Sequence, residues 1–224
     1  MSGVDSSAVA GLRDELLNAA AHLGLSLEAA TADRLLGYLA LMQRWNKVYN
    51  LSALRDPAEM LTHHLLDCLA VMPALQRHAQ GRPLRILDVG SGGGLPGVVL
   101  AIMRPEWSVT CVDAVAKKAS FVRQVAGDLG LPNLRAVHSR VEAMPATALF
   151  DVVVSRAFAS LADFTVWSRE RLAPGGAWLA MKGRVPDDEA AALPPDVSMF
   201  HVEPLTVPGL EAERCLVWMR PRTD

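Results

Sequence analysis

An acidic residue directly precedes a glycine-rich stretch in the middle of the chain. The segment 87–97 reads LDVGSGGGLPG and follows a short apolar run. Glycines in such a turn let a ligand approach the backbone closely, and the helix after the turn offers free N–H groups. Gly92, Gly94 and Gly97 also fit the G-x-G-x-x-G spacing of dinucleotide sites. These residues predict a nucleotide-binding turn between a strand and a helix.

The carboxylate of Asp88 discriminates between the nucleotides that such a turn can hold. It lies two residues before Gly90, at the end of the apolar run, where it would repel a pyrophosphate. S-adenosylmethionine instead brings an ammonium and a sulfonium group. We therefore predict that Asp88, Gly90 and Gly92 bind this cofactor. A helix-capping or turn-forming role is the structural alternative for Asp88.

Two further acidic residues lie where the rest of the cofactor is expected. Asp113 follows Gly90 by 23 residues, a separation typical of an acid that accepts hydrogen bonds from ribose hydroxyls. Glu142, with the backbone of Val141, is expected beside the adenine ring. A turn residue at 113 and a solvated glutamate at 142 are the structural alternatives.

Strand and helix patterns alternate from residue 84 onward, which is typical of an α/β fold with a mainly parallel sheet. Apolar runs predict strands at 85–89, 108–112, 134–138, 151–155 and 177–181. Helices are predicted near 97–103, 115–129, 161–172 and 187–192. Two late runs, 200–207 and 214–220, are separated by a short loop and predict an antiparallel hairpin at one sheet edge.

The first 80 residues are helical in pattern. Apolar positions at helical spacing predict helices over 11–23 and 31–48, and Asp56-Pro57 is a plausible start for a third over about 57–72. We therefore predict an N-terminal helical extension over 1–80 and a Rossmann-like domain over 81–224. Trp45, Asn46, Tyr49 and Asn50 form a cluster for which capping is the preferred role and RNA contact the alternative.

Positive charge is concentrated in the middle of the chain. The whole chain has a net charge of −2, whereas residues 81–184 carry 13 basic and 8 acidic side chains, or +5. This block is the place where a polyanion can dock, with ordinary surface scatter as the alternative. A solvated helix face is also an alternative for the two lysines of 115–129. The candidate phosphate contacts are Lys117, Lys118, Arg123, Lys182 and Arg184.

The composition argues against several classes of protein. No apolar run reaches the roughly 18–20 residues that span a bilayer, and the N-terminus lacks the pattern of a secretory signal. Cys68, Cys111 and Cys215 are far apart and form neither a disulfide framework nor a zinc spacing. We expect a cytoplasmic protein with reduced thiols, without a metal site or a membrane partner.

Six segments of the chain carry a resemblance to one enzyme family. They read RWNKVYNLSALRDPAEMLTHHLLDCL, ILDVGSGGGLPGVVLAIMRPE, KKASFVRQV, SRVE, VVVSRAFASLADF and MKGR. In them the chain resembles the ribosomal small-subunit methyltransferase G family, also called glucose-inhibited division protein B. The resemblance implies a class I S-adenosylmethionine-dependent methyltransferase fold with an N-terminal helical extension. It also implies methylation of N7 of a guanine in the 530 loop of 16S rRNA.

The resemblance further implies particular site residues and a partner. Matching motifs place cofactor contacts at Gly90, Leu95, Val141, Glu142 and Arg156. The partner is 16S rRNA, in the small ribosomal subunit or an assembly intermediate. The chain departs from the family in a third consecutive glycine of the loop and in Cys68, where members often carry serine; neither change is expected to abolish cofactor binding.

Arg156 directly follows the fourth predicted strand, beside the expected reaction centre, and is the candidate catalytic residue. The sequence Ser-Arg-Ala-Phe at 155–158 lacks the acidic or amide residue, proline and aromatic of many exocyclic-amine methyltransferases. Arginine cannot donate to a guanine N7 whose lone pair must attack. We expect Arg156 to order the methionine end of the cofactor, contact O6 or hold a phosphate, with a surface arginine as the alternative. Phe158 is either a stacking or a core residue.

Three other functions compete with this interpretation. One is a methyltransferase with another RNA or a small-molecule acceptor. The second is an NAD-dependent oxidoreductase, which Asp88 and the lack of an evident hydride-transfer partner disfavour. The third is a non-catalytic RNA-binding module that retains the glycine loop.

Overall fold

The computed structural model describes residues 6–145, 148–158, 160–184 and 187–222. Its first part is helical, with α1 and α2 slightly longer than predicted. The predicted third helix is a continuous α–π–α run that ends three residues early. These elements are α1 (Ser6–His22), α2 (Ala29–Tyr49), α3 (Pro57–Met60), a π-helical segment (Leu61–Leu66), α4 (Asp67–Leu69) and α5 (Met72–Ala79). Among the described residues, no helix is both long and apolar enough to cross a membrane.

The remaining described residues form seven strands in one sheet, with helices between them. The strands are β1 (Arg85–Val89), β2 (Ser108–Asp113), β3 (Leu134–His138), β4 (Phe150–Arg156), β5 (Leu172–Lys182), β6 (Val197–Leu205) and β7 (Arg214–Pro221). The helices are α6 (Gly97–Met103), α7 (Ala116–Asp128), α8 (Leu161–Ser168) and α9 (Asp187–Ala191), with 3-10 turns at Val141–Ala143 and Arg169–Arg171.

The strand order is β3-β2-β1-β4-β5-β7-β6. All neighbouring pairs from β3 through β5 are parallel, and β7 is antiparallel to both β5 and β6. The predicted hairpin at one edge is thus confirmed, with β7 on its inner side and β6 on its outer side. The strand order reverses between β1 and β4, so the loops after these two strands border one crevice, the usual ligand site of an open α/β sheet.

Strand β5 begins at Leu172, five residues before the predicted start, so α8 is shorter than predicted. Its early part contains Pro174, Gly175 and Gly176, which mask the apolar pattern of a strand. The pairing with β4 is irregular there: Phe150 pairs with Leu172, whereas Val152 already pairs with Ala177. A bulge therefore explains the difference between the prediction and the structure.

The helical extension shares its hydrophobic core with one face of the sheet. Leu35 and Leu65 belong to the same buried cluster as Ile86 of β1 and Phe121 of α7. Leu87, the next residue along β1, belongs to the cluster on the opposite face, as expected from the alternation of side chains in a strand. The extension therefore packs directly against the sheet, and its later residues reach the crevice.

Candidate functional site

In the glycine loop after β1, the backbone conformation and the close packing favour residues without a side chain. Gly92 and Gly94 adopt positive φ angles of 58° and 88°. A Cβ on Gly94 would lie 2.4 Å from Cγ2 of Val98, in the first turn of α6. A Cβ on Gly92 would project into open space beside the crevice, with no atom nearer than 4.0 Å. One glycine thus permits helix packing, and the other leaves room for a ligand.

Asp88 lies beneath this loop and outside the cavities that the loop borders. Its side chain is fully buried, and Oδ2 accepts a hydrogen bond of 2.8 Å from the N–H of Gly97. Burial raises the pKa of this carboxyl to about 7, against the opposing effect of that hydrogen bond. The structure therefore places Asp88 at the helix start, the position considered as its structural alternative; a direct contact with the cofactor stays a prediction.

Asp113 joins the glycine loop to the end of β2. Its Oδ2 accepts from the N–H of Gly92 at 2.9 Å, and its Oδ1 accepts from the N–H of Val115 at 2.8 Å. The ammonium of Lys118 lies 3.9 Å from Oδ2. A carboxylate has about four lone-pair sites, so acceptor positions remain for the hydroxyls of a ligand.

A cavity of about 160 Å³ lies beside Asp113, and we call it the small cavity. Val141 and Glu142 line it from the 3-10 turn after β3, and Gly90 borders it from the loop. Val141 is buried, whereas Glu142 is exposed and lies 3.8 Å from Arg140. The residues predicted for the adenosine part of the cofactor are therefore brought together.

A cavity of about 540 Å³, the large cavity, lies on the other side of Gly90. The glycine loop, including Gly92 and Leu95, forms one wall. The opposite wall comes from the helical extension and from strand ends. Its polar side chains are Ser52, His63, His64, Asp67, Arg156, Lys182 and Arg214.

Asp67 connects two arginines from distant parts of the chain. Its Oδ2 accepts from Nη1 of Arg156 at 3.1 Å, and its Oδ1 accepts from Nε of Arg214 at 2.9 Å. Nη1 of Arg156 also donates to the carbonyl of His63 at 2.9 Å. Asp67 is only 3% exposed, so the helical extension supplies a buried anion that orients two cations at the cavity. We refer to these residues as the Arg–Asp–Arg cluster.

His64 is a neutral residue of the same wall. Its Nε2 lies 2.7 Å from Oγ of Ser52, and the ring is mostly buried. Burial, reinforced by the positive charge of Arg156, lowers the pKa of His64 to about 4. The ring is therefore uncharged near neutral pH.

The predicted phosphate contacts fall into different surroundings. Lys118 and Lys182 line the large cavity, but Nζ of Lys182 donates to both carboxylate oxygens of Glu189 at 2.9 Å. The charge of Lys182 is therefore compensated within the chain. The other three candidates, Lys117, Arg123 and Arg184, are exposed.

Within the cluster at 45–50, Asn46 has the predicted structural role, and RNA contact by the cluster stays an alternative. Asn46 is buried, donates to the carbonyl of Leu54 at 2.8 Å and accepts from the N–H of Ser52 at 2.9 Å. The side chain of Asn50 accepts instead from Arg55. The bonds of Asn46 hold the segment that carries Ser52 against the large cavity.

Sequence reasoning missed Asp67, Arg214 and Tyr38 as site residues. The hydroxyl of Tyr38 donates to the carbonyl of Gly93 at 2.6 Å and so ties α2 to the glycine loop. The one available signal was Asp67 itself, an acid within the apolar run LLDCL, because a buried acid requires partners.

Comparison with known proteins connects this site to one family. A family model described as rRNA small subunit methyltransferase G matches residues 31–217. The ribosomal RNA small subunit methyltransferase G of Acidovorax ebreus (strain TPSY) is 62% identical over 218 residues, which cover 94% of this chain and 96% of the relative. The protein of the same name from Acidovorax sp. (strain JS42) is 64% identical over 207 residues, covering 89% and 91%.

Solved structures support the fold. TrmN from Thermus thermophilus is similar with a TM-score of 0.55 at 22% identity, covering 72% of this chain and 53% of that one. A Burkholderia thailandensis 1,6-didemethyltoxoflavin-N1-methyltransferase, solved with S-adenosylhomocysteine, gives 0.56 at 17% identity, covering 84% and 90%. The predicted class I methyltransferase fold is confirmed. With the family model matching most of its length, the chain belongs to the rRNA small subunit methyltransferase G family.

Proposed function

We propose that this protein transfers a methyl group from S-adenosylmethionine to N7 of a guanine in the 530 loop of 16S rRNA. Membership of the family carries the proposal. The arrangement of the site supports it, because two cavities share Gly90 at the point where the strand order reverses. One cavity suits a nucleoside, and the other is large enough for a second reactant.

The small cavity fits the adenosine part of the cofactor. Asp113 offers a carboxylate for ribose hydroxyls, and Val141 offers a buried apolar surface beside the place for a ring. The open space at Gly92 suits a ligand lying along the loop. Leu95 and Arg156 line the large cavity and are proposed to hold the methionine part. When bound, S-adenosylmethionine supplies a methyl group on a positively charged sulfur.

Orientation is the main task of the protein in this reaction. Guanine N7 has an in-plane lone pair and loses no proton before it attacks, so no side chain has to act as a base. Correct alignment of two reactants contributes up to about 7–11 kcal/mol. Arg156 is held by Asp67 and by the carbonyl of His63, which gives it one fixed position at the large cavity, from which it can contact O6 or a phosphate.

RNA binding is proposed to involve cations around the cavities. Lys118 lies at the large cavity, and Lys117, Arg123 and Arg184 are exposed. Lys117 and Arg123 are on the same helix as Lys118, whereas Arg184 follows Gly183 of the cavity wall. Lys182 is also proposed as a phosphate contact. It either leaves Glu189 when RNA binds or stays paired with Glu189 beside the RNA. The helical extension over 1–80 is proposed to complete the acceptor side, and the small ribosomal subunit or an assembly intermediate in the cytoplasm is the proposed substrate.

The proposed function is tested by transfer from donor labelled in its methyl group. Purified protein is incubated with small ribosomal subunits, deproteinised 16S rRNA and 23S rRNA. We expect label in the small-subunit RNA, and strand cleavage chemistry specific for 7-methylguanine should map it to the 530 loop. Label on an exocyclic amine, or equal labelling of 23S rRNA, would contradict the proposal.

A further inference from the structure

Arg214 lies on a ridge between the large cavity and a second depression. The depression has a volume of about 480 Å³ and shares Gly183 and Arg214 with the large cavity. Val202, Pro204 and Leu205 of β6 contribute apolar surface to it, and Arg184 lies on its border. A ligand that extends beyond the large cavity on this side must pass Arg214.

The charge around Arg214 favours an anion. The Arg–Asp–Arg cluster and the border of the depression together carry Arg156, Arg184 and Arg214 against Asp67 and Glu213, which leaves one positive charge. Nε of Arg214 is bonded to Asp67, and Nη1 donates to the carbonyl of Glu213 at 2.9 Å. Among the residues that the structure describes, Nη2 of Arg214 has no hydrogen-bond acceptor. The side chain is 24% exposed, so this nitrogen is held in place and accessible to a ligand.

We propose that Arg214 binds the phosphate that joins the target guanosine to its neighbour, and that the depression receives the neighbouring nucleotide. This inference rests on the proposed function. A nucleotide whose base enters the large cavity has a phosphate at the cavity edge, and a guanidinium matches phosphate oxygens in geometry and charge. The apolar side chains of β6 contact the next base, and Arg184 meets the phosphate beyond it.

Asp67 has the part of a positioning residue. It is almost completely buried and both of its carboxylate oxygens accept from arginines, so it acts on the ligand through Arg156 and Arg214. Because its two oxygens accept from the two arginines separately, it sets the distance between them. Asp67 therefore aligns the target nucleotide with its flanking phosphate by fixing both cations.

The first test compares two arginines of β7. Arg214→Gln removes the proposed phosphate contact, and Arg220→Gln is the control, since Arg220 is exposed on the same strand and lies over the ring of Phe200. We expect Arg214→Gln to raise the KM for small subunits about tenfold or more and to reduce the slope of log binding constant against log salt by about 1. Arg214→Lys should have the salt slope of the wild type and a KM between those of the wild type and Arg214→Gln.

The second test probes the depression. Pro204→Glu adds a negative charge inside it, and His201→Glu adds the same charge at an exposed position of β6 outside it. We expect a larger rise of KM for Pro204→Glu, with the binding of S-adenosylhomocysteine unchanged in both variants. Equal effects would contradict the path across Arg214.

The carboxylate of the cofactor is the competing ligand for Arg214. Titration with S-adenosylhomocysteine and with 5′-methylthioadenosine, which lacks the amino-acid part, separates the two sources. If Arg214→Gln weakens the binding of S-adenosylhomocysteine but not that of 5′-methylthioadenosine, Arg214 binds the cofactor and the inference is overturned. An Arg214→Gln variant that binds small subunits like Arg220→Gln also overturns it.

These outcomes are distinct from a failure of the proposed function. That failure would appear as wild-type protein that transfers no methyl group to small-subunit RNA. The salt dependence of small-subunit binding tests the role of Arg214 and does not require methyl transfer. Should Arg214→Gln unfold, Arg214→Lys and Pro204→Glu still provide the decisive comparison.

Discussion

The two cavities on either side of Gly90 are built in different ways. Among the described residues, those that line the small cavity lie between Val89 and Trp167, and nine of the eleven are at or just after the ends of β1, β2 and β3. The large cavity takes residues from Met42 to Arg214 and depends on a helical extension packed above the sheet. The first is a local product of the α/β fold, whereas the second exists only when distant parts of the chain are assembled.

This difference separates general from specific chemistry. A nucleoside site at strand ends needs only short loops, so one fold provides it for many enzymes. The proposed acceptor side requires side chains at particular distances, and here Asp67 of the extension orients Arg156 and Arg214. We infer that the extension contributes to acceptor specificity and the sheet to donor binding.

Asp88, beneath the glycine loop, and His64, in the helical extension, should make the free energy of unfolding depend on pH in opposite directions. This is the largest effect that we expect. Burial raises the pKa of Asp88 from about 3.8 to about 7. Between these values the folded state retains a proton that the unfolded chain has lost, so stability falls as the pH rises. At about 1.4 kcal/mol per pKa unit, the effect is at most about 4 kcal/mol.

His64 acts in the opposite sense, because burial lowers its pKa from about 6.5 to about 4. Between these values the unfolded chain holds a proton that the folded state lacks, so stability rises with pH, by at most about 3 kcal/mol. Denaturant unfolding at pH 4.5 to 7.5 should show a positive slope for Asp88→Asn and a negative one for His64→Gln. Identical profiles for the two variants would contradict this opposition.

Packing of the glycine loop should produce the next largest effect. In Gly97→Ala the new Cβ would lie 2.4 Å from Sγ of Cys111 and 2.9 Å from Oδ2 of Asp88. We expect this overpacking to lower the free energy of unfolding by about 1–3 kcal/mol. Gly127→Ala in α7 is the control: its Cβ meets no atom within 4 Å, so it should stabilise slightly. Equal denaturation midpoints would show that the loop yields more easily than we propose.

Asp113→Asn should affect the donor side alone. The amide has only one acceptor oxygen for the N–H groups of Gly92 and Val115 and for the ribose. We expect calorimetry to show about tenfold weaker binding of S-adenosylhomocysteine, the loss of one hydrogen bond to a charged group. The salt dependence of small-subunit binding should stay unchanged. Asp14→Asn, at an exposed position of α1, serves as control, and equal affinities would exclude Asp113 from cofactor binding.

The same contrast explains what the sequence could predict. Asp113 ends β2 and Val141 follows β3. Because the carboxyl ends of parallel strands meet at one sheet edge, local patterns could predict that both residues lie at one cavity. Asp67 and Arg214 are 147 residues apart, and no periodicity connects them. Asp88 had two interpretations, because the sequence did not show whether its carboxylate faced a ligand or the helix start. Tertiary packing shows its contact with the helix start, and a contact with the cofactor stays a prediction.

The hydrogen bond between Tyr38 and the glycine loop should give the smallest effect, and it tests how far the two sides are coupled. Tyr38→Phe removes a buried donor from the carbonyl of Gly93 but keeps the ring, so we expect a loss of about 0.5–1.5 kcal/mol in the free energy of unfolding. Tyr49→Phe, at a position 42% exposed, should change it little. Because Tyr38 belongs to the extension and Gly93 to the loop, we also expect Tyr38→Phe to weaken S-adenosylhomocysteine binding a few-fold. Unchanged cofactor affinity, together with lower stability, would mean that the extension supports the fold of the loop but leaves donor binding to the sheet.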